Sequence, residues 1–210
     1  MLRLRRLAAP ALCGVIACVP LSRLAAQGER VPGLYRDSYA LEAKRDYAGA
    51  LARVREARSA GSNAYFAAIR SGWLSYLLAD YQASIGSYTA AIAAEPKAVE
   101  PKLGLTLPLL ALRNWRELER ACSAVLAVDA HNVTALARLG LAQYNAGNFS
   151  GAEATYRKLV EDYPSESDYR TGLGWALLKL GKTADARQWF ESVLAVSPDN
   201  ASAKLGLGMR

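Results

Sequence analysis

Along most of the chain, mostly apolar residues recur at i, i+4 and i+7, the spacing that aligns three side chains on one face of a helix. The sets are Tyr35, Tyr39 and Glu42; Ile69, Trp73 and Tyr76; Leu103, Leu107 and Leu110; Ala137, Leu141 and Tyr144; and Thr171, Trp175 and Leu178. Each set lies 34 residues after the one before it. Other columns keep the same step. One reads Tyr47, Tyr81, Trp115, Phe149 and Thr183, and a small-residue column reads Ala50, Ser84, Leu118, Ala152 and Ala186. Four residues later come Val54, Tyr88, Cys122, Tyr156 and Phe190, and a closing column reads Pro96, Ala130, Pro164 and Pro198. No register slip is needed from about Gln27 to Arg210. A constant step of this length implies a stack of similar units, none able to bury its apolar face alone.

Each unit holds two helical stretches joined by a short polar turn, such as Ala146-Gly147-Asn148 or Leu180-Gly181-Lys182. Gly147 and Gly181 stand where a helix end favours a left-handed residue. Pro96, Pro164 and Pro198 follow the second stretch, where no further helical hydrogen bond is wanted. The prediction is an all-α, quasi-one-dimensional fold. Its one internal irregularity is Pro108, inside the first helix of the third unit. A proline there strips the partner from the Gly104 carbonyl, costs about 3 kcal/mol and predicts a kink.

The best copy of the pattern is Leu136, Leu139-Gly140, Tyr144, Ala152, Tyr156 and Pro164. This order of residues resembles the tetratricopeptide repeat family, and the resemblance covers about five units and half of a sixth. It implies a right-handed solenoid of helix-turn-helix repeats over 27–210. The expected units are 31–64, 65–98, 99–132, 133–166 and 167–200, with a half unit at 201–210. The departures are local: Asp37-Ser38 and Ser62 in the first unit, and Thr106 and Cys122 in the third.

Residues 1–26 read differently. A basic start, Met1 to Arg6, precedes an apolar stretch from Leu7 to Leu21, and Leu24-Ala25-Ala26 offers a small residue ahead of Gln27. This is the order of a secretory signal, so an exported protein of the periplasm or cell envelope is expected. Val15-Ile16-Ala17-Cys18 also reads as a lipobox, and an uncleaved anchor is a third outcome; membrane association is expected only if Cys18 is lipidated. The charge picture changes with the cut. The full chain carries +7, of which Arg3, Arg5, Arg6 and Arg23 supply four without any accompanying acid, leaving +3 for 27–210. What remains is mixed in sign, with no basic run suited to a phosphate backbone, so nucleic acid is not an expected partner. Arg53, Arg55 and Arg58, with Glu56 among them, read as a solvated helix face.

The residues for catalysis are missing. Beyond the signal, the chain has one cysteine, Cys122, in a column that points between helices, and one histidine, His131, in a turn. No His/Cys metal cluster can be assembled from them, and no cofactor is expected. Leu205-Gly206-Leu207-Gly208 lacks the third glycine and the strand of a phosphate loop. The expectation is a protein that is not an enzyme.

Surface chemistry remains. The resemblance implies that first helices line a concave face that binds extended peptides or helices. Candidate groove residues are Tyr39, Ile69, Trp73, Tyr76, Leu103, Leu107, Leu110, Leu141, Tyr144 and Trp175. Family members that clamp acidic C-terminal tails use lysines and asparagines where this chain has Ile69, Leu103, Ala137, Trp73, Leu107 and Leu141, which argues against a carboxylate clamp. An apolar groove fits a hydrophobic or amphipathic protein segment, with Trp and Tyr as anchors. The same stripe could instead be core between neighbouring first helices. The expected function is an exported scaffold in envelope assembly, the alternative a carrier of a lipid or other apolar small molecule. Phe66 and Trp189 are expected to be half-buried surface residues. The half unit, with Leu205, Leu207 and Met209, is either a frayed cap or a surface for self-association.

Overall fold

A computed structural model of the chain describes residues 21–209. Residues 1–20, with the basic start, Cys13 and Cys18, lie outside that range. Eleven helices are described: α1 (Leu21–Ala43), α2 (Tyr47–Ser59), α3 (Ala64–Leu77), α4 (Tyr81–Ala94), α5 (Glu100–Ala111), α6 (Trp115–Leu126), α7 (Val133–Asn145), α8 (Phe149–Asp162), α9 (Ser167–Lys179), α10 (Thr183–Val196) and α11 (Ala201–Gly208). Each packs on its neighbour in sequence. First helices also touch across the intervening one, α3 on α5, α5 on α7, α7 on α9 and α9 on α11. Among the described residues the second helices do not do so, which puts the first helices in the inner layer of the stack.

The turn inside each unit is built once and copied. Arg45, Ala79, Arg113, Gly147 and Gly181, spaced by the repeat, all have positive φ, between 52° and 84°. The next residue sends its N–H back five positions: Asp46 to Leu41, Asp80 to Ser75, Asn114 to Leu109, Asn148 to Gln143 and Lys182 to Leu177. That bond closes the first helix as a Schellman motif. The same residue then opens the second helix. The side chains of Asp46, Asp80 and Asn148 accept from the N–H of Gly49, Ala83 and Gly151, at 2.9, 3.1 and 3.0 Å. Only Gly147 and Gly181 announce the left-handed position in the sequence. Pro108 is buried inside α5 without ending it.

The joints between units decide how the stack bends. Tyr88, Tyr156 and Phe190 each reach from a second helix into a slot between two first helices, and each slot is bounded by two glycines. Tyr88 lies against Gly72 and Gly104, Tyr156 against Gly140 and Gly172, and Phe190 against Gly174 and Gly206. A Cβ on Gly172 would stand 2.5 Å from the Tyr156 ring, and one on Gly174 2.7 Å from Phe190, so no larger residue fits there. The other two joints are filled differently. Val54 is flanked by Ser38 and Arg70, and Cys122 by Thr106 and Arg138, at the corresponding positions. Arg70 donates to Ser38 Oγ at 3.2 and 3.3 Å, and Arg138 donates to Thr106 Oγ1 and, at 3.3 Å, to the Leu103 carbonyl. A short side chain in the slot is thus matched by a hydroxyl and a guanidinium that occupy the space of the ring. The core follows the joints and divides into three clusters, centred on Val54 and Leu74, on Leu118 and Cys122, and on Phe190 and Leu177.

Because exposed Ala79 is held at φ 59° without a side-chain role, Ala79→Gly relieves strain at little other cost. We predict a gain of about 0.5–1 kcal/mol in denaturant unfolding, and a loss of about 1 kcal/mol for Gly147→Ala. A loss on Ala79→Gly, as for an ordinary helical glycine, would contradict the left-handed assignment.

Candidate functional site

The inner layer brings the ten predicted groove residues to one side of the molecule, though not into one trough. Tyr39 and Leu141 are exposed, at 59% and 36%, and the other eight are half-buried. Their inner edges rest on the core: Trp73 on the first cluster, Leu110 on the second, Tyr144 and Trp175 on the third. The stripe is neither free surface nor core. It contributes to two clefts along the stack, and Tyr39 and Trp73 also line a third recess with Glu42, Tyr47 and Leu77. Leu103, Leu107 and Leu110 lie on α5 between the two clefts and line neither.

The first cleft, about 670 Å³, is lined by Tyr35, Tyr39, Phe66, Ile69, Arg70, Trp73, Tyr88, Glu100 and Gly104. Arg70 and Trp73 of its lining belong to a polar network around Glu42 that the sequence reading missed. Arg70, only 7% exposed, pairs with Glu42 and holds its guanidinium 3.9 Å above the Tyr39 ring. The Trp73 indole donates to Glu42 at 2.7 Å, and Trp73 stacks on Tyr76 with ring centres 5.8 Å apart. Burial alone would raise the Glu42 carboxyl, but the Trp73 N–H and the Arg70 guanidinium outweigh it and hold the group below the usual carboxylate range. Trp73 is thereby fixed in orientation as well as packed. Phe66 departs from expectation: it is 61% exposed and forms part of the cleft wall. Trp189 is half-buried, against the third cluster.

The second cleft, about 310 Å³, is lined by Leu141, Tyr144, Asn145, Tyr156, Asp168, Thr171, Gly172, Trp175, Asn200 and Ser202. Trp175 packs edge-on against Phe190 at 5.4 Å, and its indole donates to Ser202 at 2.8 Å. Tyr144 meets Phe149 edge-on at 5.5 Å. Both buried tyrosines of the joints, Tyr88 and Tyr156, are pushed up to about 12, first by burial and then by the carboxylates of Glu100 and Asp168 respectively. Their hydroxyls therefore stay protonated at any ordinary pH.

The structure does not unite Cys122 with His131. Cys122 is fully buried, and burial pushes its thiol up to about 12, whereas His131 is exposed in the turn before α7. Arg138 works against that rise but does not overcome it. A thiol in this state is a packing residue. Arg53 pairs with Glu56 at 2.9 Å in a partly exposed position, as a solvated face would. At the end of the stack, Leu205 is 58% and Met209 45% exposed.

Comparison with known proteins agrees with this geometry. The tetratricopeptide repeat family model matches residues 109–167, 137–201 and 171–209. The protein CTR9 homolog of Arabidopsis thaliana is 34% identical over 97 residues, which make up 44% of this chain and 9% of that protein. The chain therefore spans under a tenth of that relative. Among solved structures, a tetratricopeptide repeat protein from Parabacteroides merdae superimposes with a TM-score of 0.77 at 19% identity, over 85% of this chain and 71% of that one. YrrB, described as a TPR protein with an unusual peptide-binding site, gives 0.78 at 15% identity, over 90% and 97%. At these identities the structural likeness is one of fold, a right-handed solenoid of paired helices. With a 34-residue period carried through helix pairs, turns and joints, the chain belongs to the tetratricopeptide repeat family.

Proposed function

We infer that this solenoid is a scaffold for protein interaction, in keeping with a family fold that is not typically that of an enzyme. We propose that it docks an apolar or amphipathic protein segment in the two clefts of its inner face, as an exported component of bacterial cell-envelope assembly. The observation that carries the docking reading is the placement of Trp73 and Trp175. Each is anchored by an indole hydrogen bond, half-buried, and set in the wall of a cleft. Rigid aromatic anchors of this kind supply most of the energy in protein interfaces. That YrrB is described as having a peptide-binding site is consistent with this use of the fold. The clefts are open to solvent and not enclosed, which suits a chain segment better than a sequestered lipid. The export reading rests on the n-region, apolar stretch and small-residue site of residues 1–26.

Trp73→Ala and Trp175→Ala should each weaken capture of a crosslinked envelope partner by about 2 kcal/mol while retaining native helicity by circular dichroism. Mutants that melt early yet bind normally when folded would remove the docking role. For export, mass spectrometry of the protein from its native cell should find a chain beginning at Gln27 or a lipidated Cys18. A chain that keeps Met1 in the cytoplasm would end the envelope reading.

A further inference from the structure

The two clefts share a set of groups that the aromatic stripe does not explain. Tyr88, Glu100 and Gly104 line the first; Tyr156, Asp168 and Gly172, each two repeats further along, line the second. Both carboxylates stand in the first turn of their helices, α5 and α9, where an acid offsets the helix dipole. That position alone says nothing of a ligand. Their surroundings do. Lys102, two residues after Glu100, is buried and gives its ammonium to the carbonyls of Pro96 and Ala98. Arg170, two residues after Asp168, gives its guanidinium to the carbonyls of Pro164 and Ser192. In the first cleft Arg70 is already matched by Glu42. Among the described residues no cation lies within ion-pair distance of Glu100 or Asp168.

Each cleft is left with one negative charge without an ion-pair partner, in a chain whose charge over 27–210 is +3. The rings of Tyr39, Phe66 and Trp73 line the same cleft as Glu100, and those of Tyr144, Tyr156 and Trp175 the same cleft as Asp168. A cleft that offers both a carboxylate and aromatic walls is complementary to an organic cation. The carboxylate answers the charge, the rings answer it through their quadrupoles, and an apolar wall takes the methylene stem. Arg70 over Tyr39 is an internal instance of the same contact. A hard metal ion would require more oxygen ligands than one carboxylate, and an acidic tail would be repelled.

We propose that each cleft accepts a lysine or arginine side chain of the docked segment, so that the partner carries basic residues among apolar ones at two places along its length. This rests on the inner face being the docking surface. The charge preference is opposite to that of a carboxylate clamp.

The test is selection of phage-displayed random dodecamers on the full chain. One selected peptide is then titrated by fluorescence anisotropy against wild type, the Glu100→Gln/Asp168→Asn double variant and the Trp73→Ala/Trp175→Ala double variant. Selected peptides should be rich in lysine or arginine flanked by apolar residues. Loss of the two carboxylates should weaken binding about tenfold, and that loss should shrink as salt is raised. The two acids are exposed, so the variant keeps its fold, checked by circular dichroism. A pool without basic enrichment, or a carboxylate-free variant that binds as wild type does, overturns the proposal. The tryptophan variant then separates the two readings. If it still loses binding, the inner face docks a neutral segment. If it binds normally, or if no peptide is recovered at all, the docking surface falls with the charge preference.

Discussion

The fold depends on one contact made at every joint: a side chain from a second helix wedged between two first helices. At three joints the wedge is an aromatic ring and both walls are glycine. At the other two it is Val54 or Cys122, and the walls carry a hydroxyl and an arginine. Interiors are packed to near-crystalline density, so volume removed from the wedge has to be returned by the walls. Ser38 with Arg70 and Thr106 with Arg138 return it. The exchange has a consequence for charge, because a guanidinium taken out of water requires partners. Arg70 finds Ser38, Glu42 and the Tyr39 ring. Arg138 finds Thr106 and the Leu103 carbonyl, with burial lowering its pKa from the ordinary arginine value.

The same contact shapes the inner face. Where a wall is glycine, the inner layer has no side chain at that point and a recess opens; Gly104 and Gly172 border the two clefts for this reason. Where the wall is Arg138, that position carries a side chain, and no cleft is found between those that hold Trp73 and Trp175. The joint at Arg70 does something else again. Its guanidinium reaches Glu42, Glu42 accepts from Trp73, and the tryptophan is held in the wall of the first cleft. Packing inside the stack therefore sets both where the inner face has clefts and which side chains line them.

The period, the helix pairs and the inner-face columns were legible because each is carried by residues of one chemical type at a fixed step. Tyr156 and Phe190 as fillers of the joints could be read for the same reason, and Cys122 as a filler from its place in their column. The remainder was hidden where the chemical type changes along a column. Gly104, Arg138, Gly172 and Gly206 form one column, yet it looks like noise until the neighbouring columns, Thr106 and Cys122, are seen to change with it. The left-handed turn residue reads as Gly147 and Gly181 but not as Arg45, Ala79 or Arg113, since there the Schellman bonds hold a residue without the propensity. Phe66, Glu100 and Asp168 share a column otherwise occupied by Thr134 and Ser202, so neither the exposed ring nor the unpaired acids stood out. The groove expected from the stripe became separate clefts through this hidden variation.

The most direct test exchanges one kind of joint for the other. Cys122→Tyr alone forces a ring against Thr106 and Arg138 and should cost about 2–3 kcal/mol of unfolding free energy. Adding Thr106→Gly and Arg138→Gly rebuilds the walls found around Tyr88 and Tyr156. The triple variant should then be more stable than Cys122→Tyr alone, although two helical glycines cost about 2 kcal/mol in an ordinary helix. If the triple variant is instead less stable than the single one by that amount, wedge and walls are not coupled, and the account of the joints is wrong.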